Sequence, residues 1–161
     1  LESVEPALLV PDEAVRSGLA SVQLPGRFQV IPGRPEWILD VAHNPDAAAS
    51  LAASLAARPS PGQTLAVCGI LGDKDVEGIV AALATRIRRW IAVGLPGPRA
   101  LEPAELARRI REAGAHSVIA VADVAAGLAQ ARVDSAPGDR VVVFGSFLTV
   151  GPALAELAPG S

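Results

Sequence analysis

Residues 36 to 57 read "EWILDVAHNPDAAASLAASLAA", and the reading of this stretch decides the fold. It opens as an apolar, partly β-branched run, "EWILDV", and closes as a chain of alanines and leucines. Between the two, Asp40, His43 and Asn44 bring an acid, an imidazole and an amide into five residues. Pro45 then stands where a helix takes its first residue, since proline lacks only an N–H that has no partner there. The spacing predicts a strand, a polar loop and a helix in that order. A strand that feeds straight into a helix is the repeating unit of an α/β sheet.

Working outward, "RFQVI" precedes this stretch, and "PGRP" between the two apolar runs is a turn signal, so a β-hairpin is expected. Further upstream, Pro11 to Leu19 reads as a short helix with Asp12 as N-cap, broken by Pro25-Gly26. Downstream the alternation repeats. The runs "TLAVCGI", "RWIAVGL", "HSVIAV" and "DRVVVFGS" predict strands. The segments "VEGIVAALATRI", "PAELARRIREAG", "DVAAGLAQARV" and "VGPALAEL" predict the helices between and after them. The expected fold is α/β and Rossmann-like: a mostly parallel sheet with helices on both faces and an N-terminal β-hairpin.

Composition narrows the function. With 161 residues, half of them apolar and 19% charged, the chain can bury one substantial core and reads as ordered. No apolar run approaches the roughly 18 residues that span a bilayer, and no signal peptide is visible, so a soluble protein without a membrane partner is expected. The single cysteine, Cys68, fits a reducing compartment and a cytoplasmic location. A net charge of −3 with scattered arginines does not suggest a nucleic-acid surface. The chain begins with Leu1, which suggests a piece of something longer.

In sheets of this kind ligands bind beyond the carboxyl ends of the strands, and the notable polar residues gather in those loops. Each also has a plain structural use. Asp40 could accept from ribose hydroxyls or, like Asn44, cap the next helix. His43 is one of two histidines and could be an ordinary surface residue. Lys74 in "GDKD" could bind a carboxylate or phosphate, or pair with its flanking acids Asp73 and Asp75. Ser146 after Gly145 could meet an anion or cap a helix, and Arg27 could reach a phosphate or simply be exposed. The chain has no GxxxxGK[ST] loop, no GxGxxG after its first strand and no GxSxG elbow, and one Cys with two His makes a zinc site improbable. These residues describe a binding surface without a complete catalytic apparatus.

Taken in order, "LPGRFQV", "ILDVAHNPDAA", "GILGDKD", "GPRALEPAEL" and "VVVFGSFLTV" resemble the C-terminal domain of folylpolyglutamate synthase/dihydrofolate synthase, in the Mur ligase superfamily of ATP-dependent, ADP-forming amide ligases. "GRFQ" and "DVAHNP" carry the superfamily resemblance, and "LGDKD" with "GSFLTV" narrows it to the folate branch. The resemblance implies that residues 1 to 10 are a remnant of an interdomain linker. Residues 11 to 161 are then a Mur ligase-type C-terminal domain, with an N-terminal ATPase domain carrying the P-loop and the Mg ligands elsewhere. It implies a reaction in which ATP phosphorylates a carboxylate of dihydropteroate or a folate, and the amine of L-glutamate attacks the acyl phosphate. It assigns ATP to Arg27, Asp40, His43 and Asn44, and glutamate to Ser146, His43 and Lys74, with no metal site and no activity expected of this domain alone. Two other readings are kept: the C-terminal domain of a ligase acting on a cell-wall peptidoglycan precursor, and a stand-alone nucleotide-binding or regulatory domain.

Overall fold

The computed structural model describes residues 26–158. The expected helix over residues 11–19 and the linker over residues 1–10 lie outside the described residues. Six strands alternate with five helices among them. Strands β1 (Gln29–Ile31) and β2 (Glu36–Asp40) form the expected antiparallel hairpin. Then follow α1 (Pro45–Ala57), β3 (Thr64–Cys68), α2 (Val76–Leu83), β4 (Arg89–Val93) and α3 (Pro103–Glu112). The chain continues with β5 (Val118–Val121), α4 (Val124–Asp134), β6 (Arg140–Phe144) and α5 (Phe147–Leu157).

The sheet order is β1-β2-β6-β3-β4-β5, and every pairing after the hairpin is parallel. Successive side chains point to opposite faces, which sorts each strand between two cores. Ile38, Ala66, Cys68, Trp90, Ala92, Val142 and Phe144 meet α1, α2 and α3 through Leu51, Leu55, Ile79, Leu83, Leu106 and Ile110. Trp37, Leu39, Leu65, Val67, Ile91, Val141 and Val143 meet α4 and α5 through Val124, Leu128, Val150 and Ala153. The steps β2→β3→β4→β5 run one way across the sheet and their helices share one face. The return to β6 runs the other way and its helix lies on the opposite face, as a constant hand of crossover requires. Trp90 and Phe144 pack edge to face in the first core, with ring centroids 6.1 Å apart. Cys68 is fully buried there, and burial pushes its thiol up to about 12, so it packs as an inert apolar residue.

Two helix boundaries differ from the sequence reading. The segment "VEGIVAALATRI" stops being helical at Leu83, because the Arg86 and Ile87 amides both turn back to the Leu83 carbonyl and bury Ile87. The last helix starts at Phe147, earlier than "VGPALAEL" suggests, and runs through Pro152. Pro152 lies in the middle of the helix on its exposed side, and its missing N–H leaves the Leu148 carbonyl without its helical donor. Among the described residues no helix is long and apolar enough to cross a membrane.

Candidate functional site

Helices α1 and α5 leave the neighbouring strands β2 and β6 toward opposite faces, which opens a crevice at their carboxyl ends. A cavity of about 350 Å³ lies there, lined by His43 after β2, Leu71 and Lys74 after β3, Arg99 after β4, and Gly145, Ser146, Phe147 and Leu148 after β6. A second cavity, of about 300 Å³, adjoins it through His43 and is lined by Arg27, Phe28, Asp40 and the first turns of α1. The fold thus brings His43, Lys74 and Ser146 together in one recess, and Arg27, Asp40 and His43 in the other. Asn44, next to His43 in the chain, lines neither cavity.

Asp40 is the fixed point of the second cavity. Its Oδ2 accepts from the Phe28 amide at 2.9 Å and its Oδ1 from the Ala42 amide at 2.8 Å. The carboxylate therefore ties the start of β1 to the end of β2, and it holds Phe28 at φ 44°, a conformation that a bulky side chain rarely adopts. Burial pushes the Asp40 carboxyl above the usual aspartate range, while the two amides and the Arg27 guanidinium pull it down. Each oxygen keeps one lone pair free for a ligand. Arg27 is exposed beside it and has no carboxylate partner among the described residues.

The other candidates combine structural and binding capacity. Asn44 caps α1 by accepting from the Ala47 amide at 2.8 Å, and Asp75 caps α2 by accepting from Gly78 at 2.9 Å. His43 Nδ1 lies 2.9 Å from the Val41 carbonyl. A carbonyl only accepts, so Nδ1 carries the proton and Nε2 of the neutral ring is an acceptor. Lys74 Nζ lies 3.4 Å from Asp73 Oδ2, and Arg99 reaches the same oxygen at 3.7 Å. These are loose, partly exposed pairs that a ligand carboxylate can replace at little cost. Ser146 is the N-cap residue of α5 but makes no capping bond. Its Oγ lies instead 3.1 Å from Thr149 Oγ1, which donates to the Gly69 carbonyl at 2.9 Å.

Arg99, Phe28 and Thr149 belong to this region, and no role followed for them from sequence. Arg99 had one available signal: it lies in a strand-to-helix loop on the same edge as the other candidates. A single antiparallel bridge, Leu71 to Ala100, and a bond from the Gly72 amide to the Arg99 carbonyl (2.8 Å) hold its loop against the Lys74 loop. A larger cavity, of about 710 Å³, opens at the amino ends of the strands. None of the candidates lines it, and its Glu36 and Arg58 are spent on each other at 2.6 Å. Among the described residues no three His, Cys, Asp or Glu side chains gather as a metal site.

The pattern of the family described as "Mur ligase, glutamate ligase domain" matches residues 26–147, a span that holds all six candidates. The dihydrofolate synthase/folylpolyglutamate synthase of Escherichia coli is 41% identical over 143 residues, which are 89% of this chain and 33% of that protein. A crystal structure of bifunctional folylpolyglutamate synthase/dihydrofolate synthase with Mn, AMPPNP and L-glutamate bound superposes with a TM-score of 0.83. It is 41% identical, and the match covers 95% of this chain and 36% of that one. The E. coli protein in complex with DHPP and ADP gives 0.83 at 37% identity, over 93% of this chain and 35% of that one. This chain spans about a third of the length of the dihydrofolate synthase/folylpolyglutamate synthases it matches. It belongs to the Mur ligase family of glutamate ligase domains.

Proposed function

We propose that this domain serves an ATP-dependent, ADP-forming ligase that joins L-glutamate to dihydropteroate, a folate, or both. The observation that carries this reading is the recess at the carboxyl ends of β2, β3 and β6. It gathers two cations, Lys74 and Arg99, with acceptors on His43 and Ser146. A dicarboxylic amino acid offers the matching chemistry: carboxylates for the cations and an amine for the acceptors. The adjoining cavity, with exposed Arg27 and the two free lone pairs of Asp40, suits phosphate oxygens and ribose hydroxyls. His43 lines both cavities, so nucleotide and amino acid would meet across it.

In this reading residues 1–10 join the domain, residues 11–161, to an ATPase domain that brings the P-loop and the Mg ligands. ATP supplies the phosphoryl group that activates the acceptor carboxylate. This domain's residues hold the nucleotide (Arg27, Asp40, His43, Asn44) and orient the incoming glutamate (Ser146, His43, Lys74). Fixed cations and donors contribute most where charge develops on phosphoryl oxygens and on a tetrahedral carbon. We place the activity in the cytoplasm, a reading that the lone, buried Cys68 supports.

The test is ATP turnover by the full-length protein with L-glutamate and either dihydropteroate or tetrahydrofolate. Turnover is expected to require glutamate and one of these acceptors, and His43→Ala is expected to raise the KM for both ATP and glutamate by about tenfold, the effect of one lost hydrogen bond. No turnover with either acceptor, but turnover with a muramyl precursor, would move the protein to the cell-wall branch. Near-normal constants in His43→Ala would remove that residue from the site.

A further inference from the structure

We infer that Thr149 is a positioning residue that fixes Ser146 as a hydrogen-bond acceptor, so that Ser146 reads the amine of the incoming amino acid rather than a carboxylate. The inference rests on the glutamate reading above and assigns a part to each group within it. Thr149 is fully buried in the first turn of α5. Its hydroxyl has one hydrogen, and that hydrogen is committed, because the Gly69 carbonyl 2.9 Å away can only accept. In the 3.1 Å contact between the two hydroxyls, Ser146 must therefore be the donor and Thr149 the acceptor. With its only hydrogen spent on Thr149, Ser146 Oγ turns lone pairs alone toward the recess that it lines.

An acceptor in that place repels a carboxylate oxygen and attracts an N–H. With its Nδ1 hydrogen held by the Val41 carbonyl, the neutral form of His43 adds a second acceptor at Nε2. The cations that line the recess, Lys74 and Arg99, are left for the carboxylates. The division orients the amino acid. Ser146 and His43 accept N–H bonds from the amine.

The experiment uses the full-length protein and two ligands with the same pair of carboxylates: L-glutamate as substrate and glutarate, which lacks the amine, as inhibitor. Ser146→Ala and Thr149→Val are each expected to raise the KM for glutamate by about tenfold while moving the glutarate Ki by less than about twofold. The KM for ATP should not move. Thr149→Ser keeps the hydroxyl and is expected to restore the wild-type KM. A parallel rise of the glutarate Ki in Ser146→Ala would show that Ser146 reads a carboxylate and overturn the inference, even if Thr149→Val does not fold. A normal glutamate KM in Thr149→Val beside a raised one in Ser146→Ala would remove Thr149 alone. A turnover that needs no glutamate would overturn the underlying reading, and this inference with it.

Discussion

Gly145→Ala is expected to lower the stability of this chain by about 3 kcal/mol, a cost in the range for a strained backbone position with a forced contact. Two independent features set the expectation. Gly145 has φ +123°, a region that side-chain-bearing L-residues rarely adopt. A methyl group built on it would also lie 2.3 Å from the Gly69 carbonyl oxygen and 3.0 Å from the carbonyl carbon. The atoms in the way are backbone, so no side chain can rotate to make room. Relief requires β6 and the end of β3 to separate, and there the Gly69 amide bonds the Phe144 carbonyl at 3.3 Å. The shift would carry Ser146 away from Gly69 and break the link through Thr149. In thermal unfolding the midpoint should fall by roughly 6–12 °C for a domain of this size. Gly151→Ala, inside the α5 helix that follows this turn, is the control. Nothing lies within 4 Å of its added carbon and its φ is ordinary, so it should be neutral or slightly stabilising. A Gly145→Ala midpoint within about 2 °C of the control would show that the turn relaxes freely, and would remove the close approach as a constraint on the site.

The elements were legible because each is written locally. "TLAVC" and "RVVVF" are uninterrupted apolar runs of strand length, and Asn44-Pro45 and Asp123 mark helix starts where their side chains accept from Ala47 and Ala126. The order of the strands was not legible. The insertion of β6 between β2 and β3 depends on pairing Val142 with Ile38 and Ala66, which lie 104 and 76 residues away in the chain. The site was legible in part for the same reason. Strand-to-helix loops of a parallel sheet all emerge on one edge, so polar residues in those loops converge wherever the strands are ordered. What the sequence hides is how each group spends its hydrogen bonds. By sequence Asp40 suits ribose hydroxyls or the cap of the next helix, and in the fold it accepts from the Phe28 and Ala42 amides. Ser146 looked like a cap and bonds Thr149 instead, a partner visible only as a hydroxyl one turn along the helix.

Arg140→Met should cost about 3–4 kcal/mol and leave the site at the other end of the sheet intact. Arg140 opens β6 between Glu36 on β2 and Thr64 on β3, and only 6% of it is exposed. Among the described residues no carboxylate bonds it directly. Its Nε donates to Thr64 Oγ1 at 2.8 Å, and its Nη1 donates to the Leu55 carbonyl at 3.2 Å and to the Arg58 carbonyl. Leu55 and Arg58 are at the end of α1, where the last helical carbonyls have no partner of their own. The buried guanidinium supplies it, and a cation also suits the negative end of the helix. Burial pulls the Arg140 pKa below the ordinary arginine value. Methionine fills much of the same volume but donates nothing, so two carbonyls and a hydroxyl lose their donor at about 1–3 kcal/mol for each group left buried and unpaired. Arg140→Lys keeps the charge, but a single ammonium cannot reproduce the fork, so it should recover about half of the loss. Both follow from urea or thermal unfolding of this chain. In the full-length protein, assayed well below the lowered midpoint, the KM values for ATP and glutamate should stay within about twofold of wild type. The reason is that α1, about 20 Å long, separates Arg140 from His43. A large change in KM without a loss of stability would mean that the amino ends of the strands communicate with the site. Arg140 would then be more than the anchor for α1.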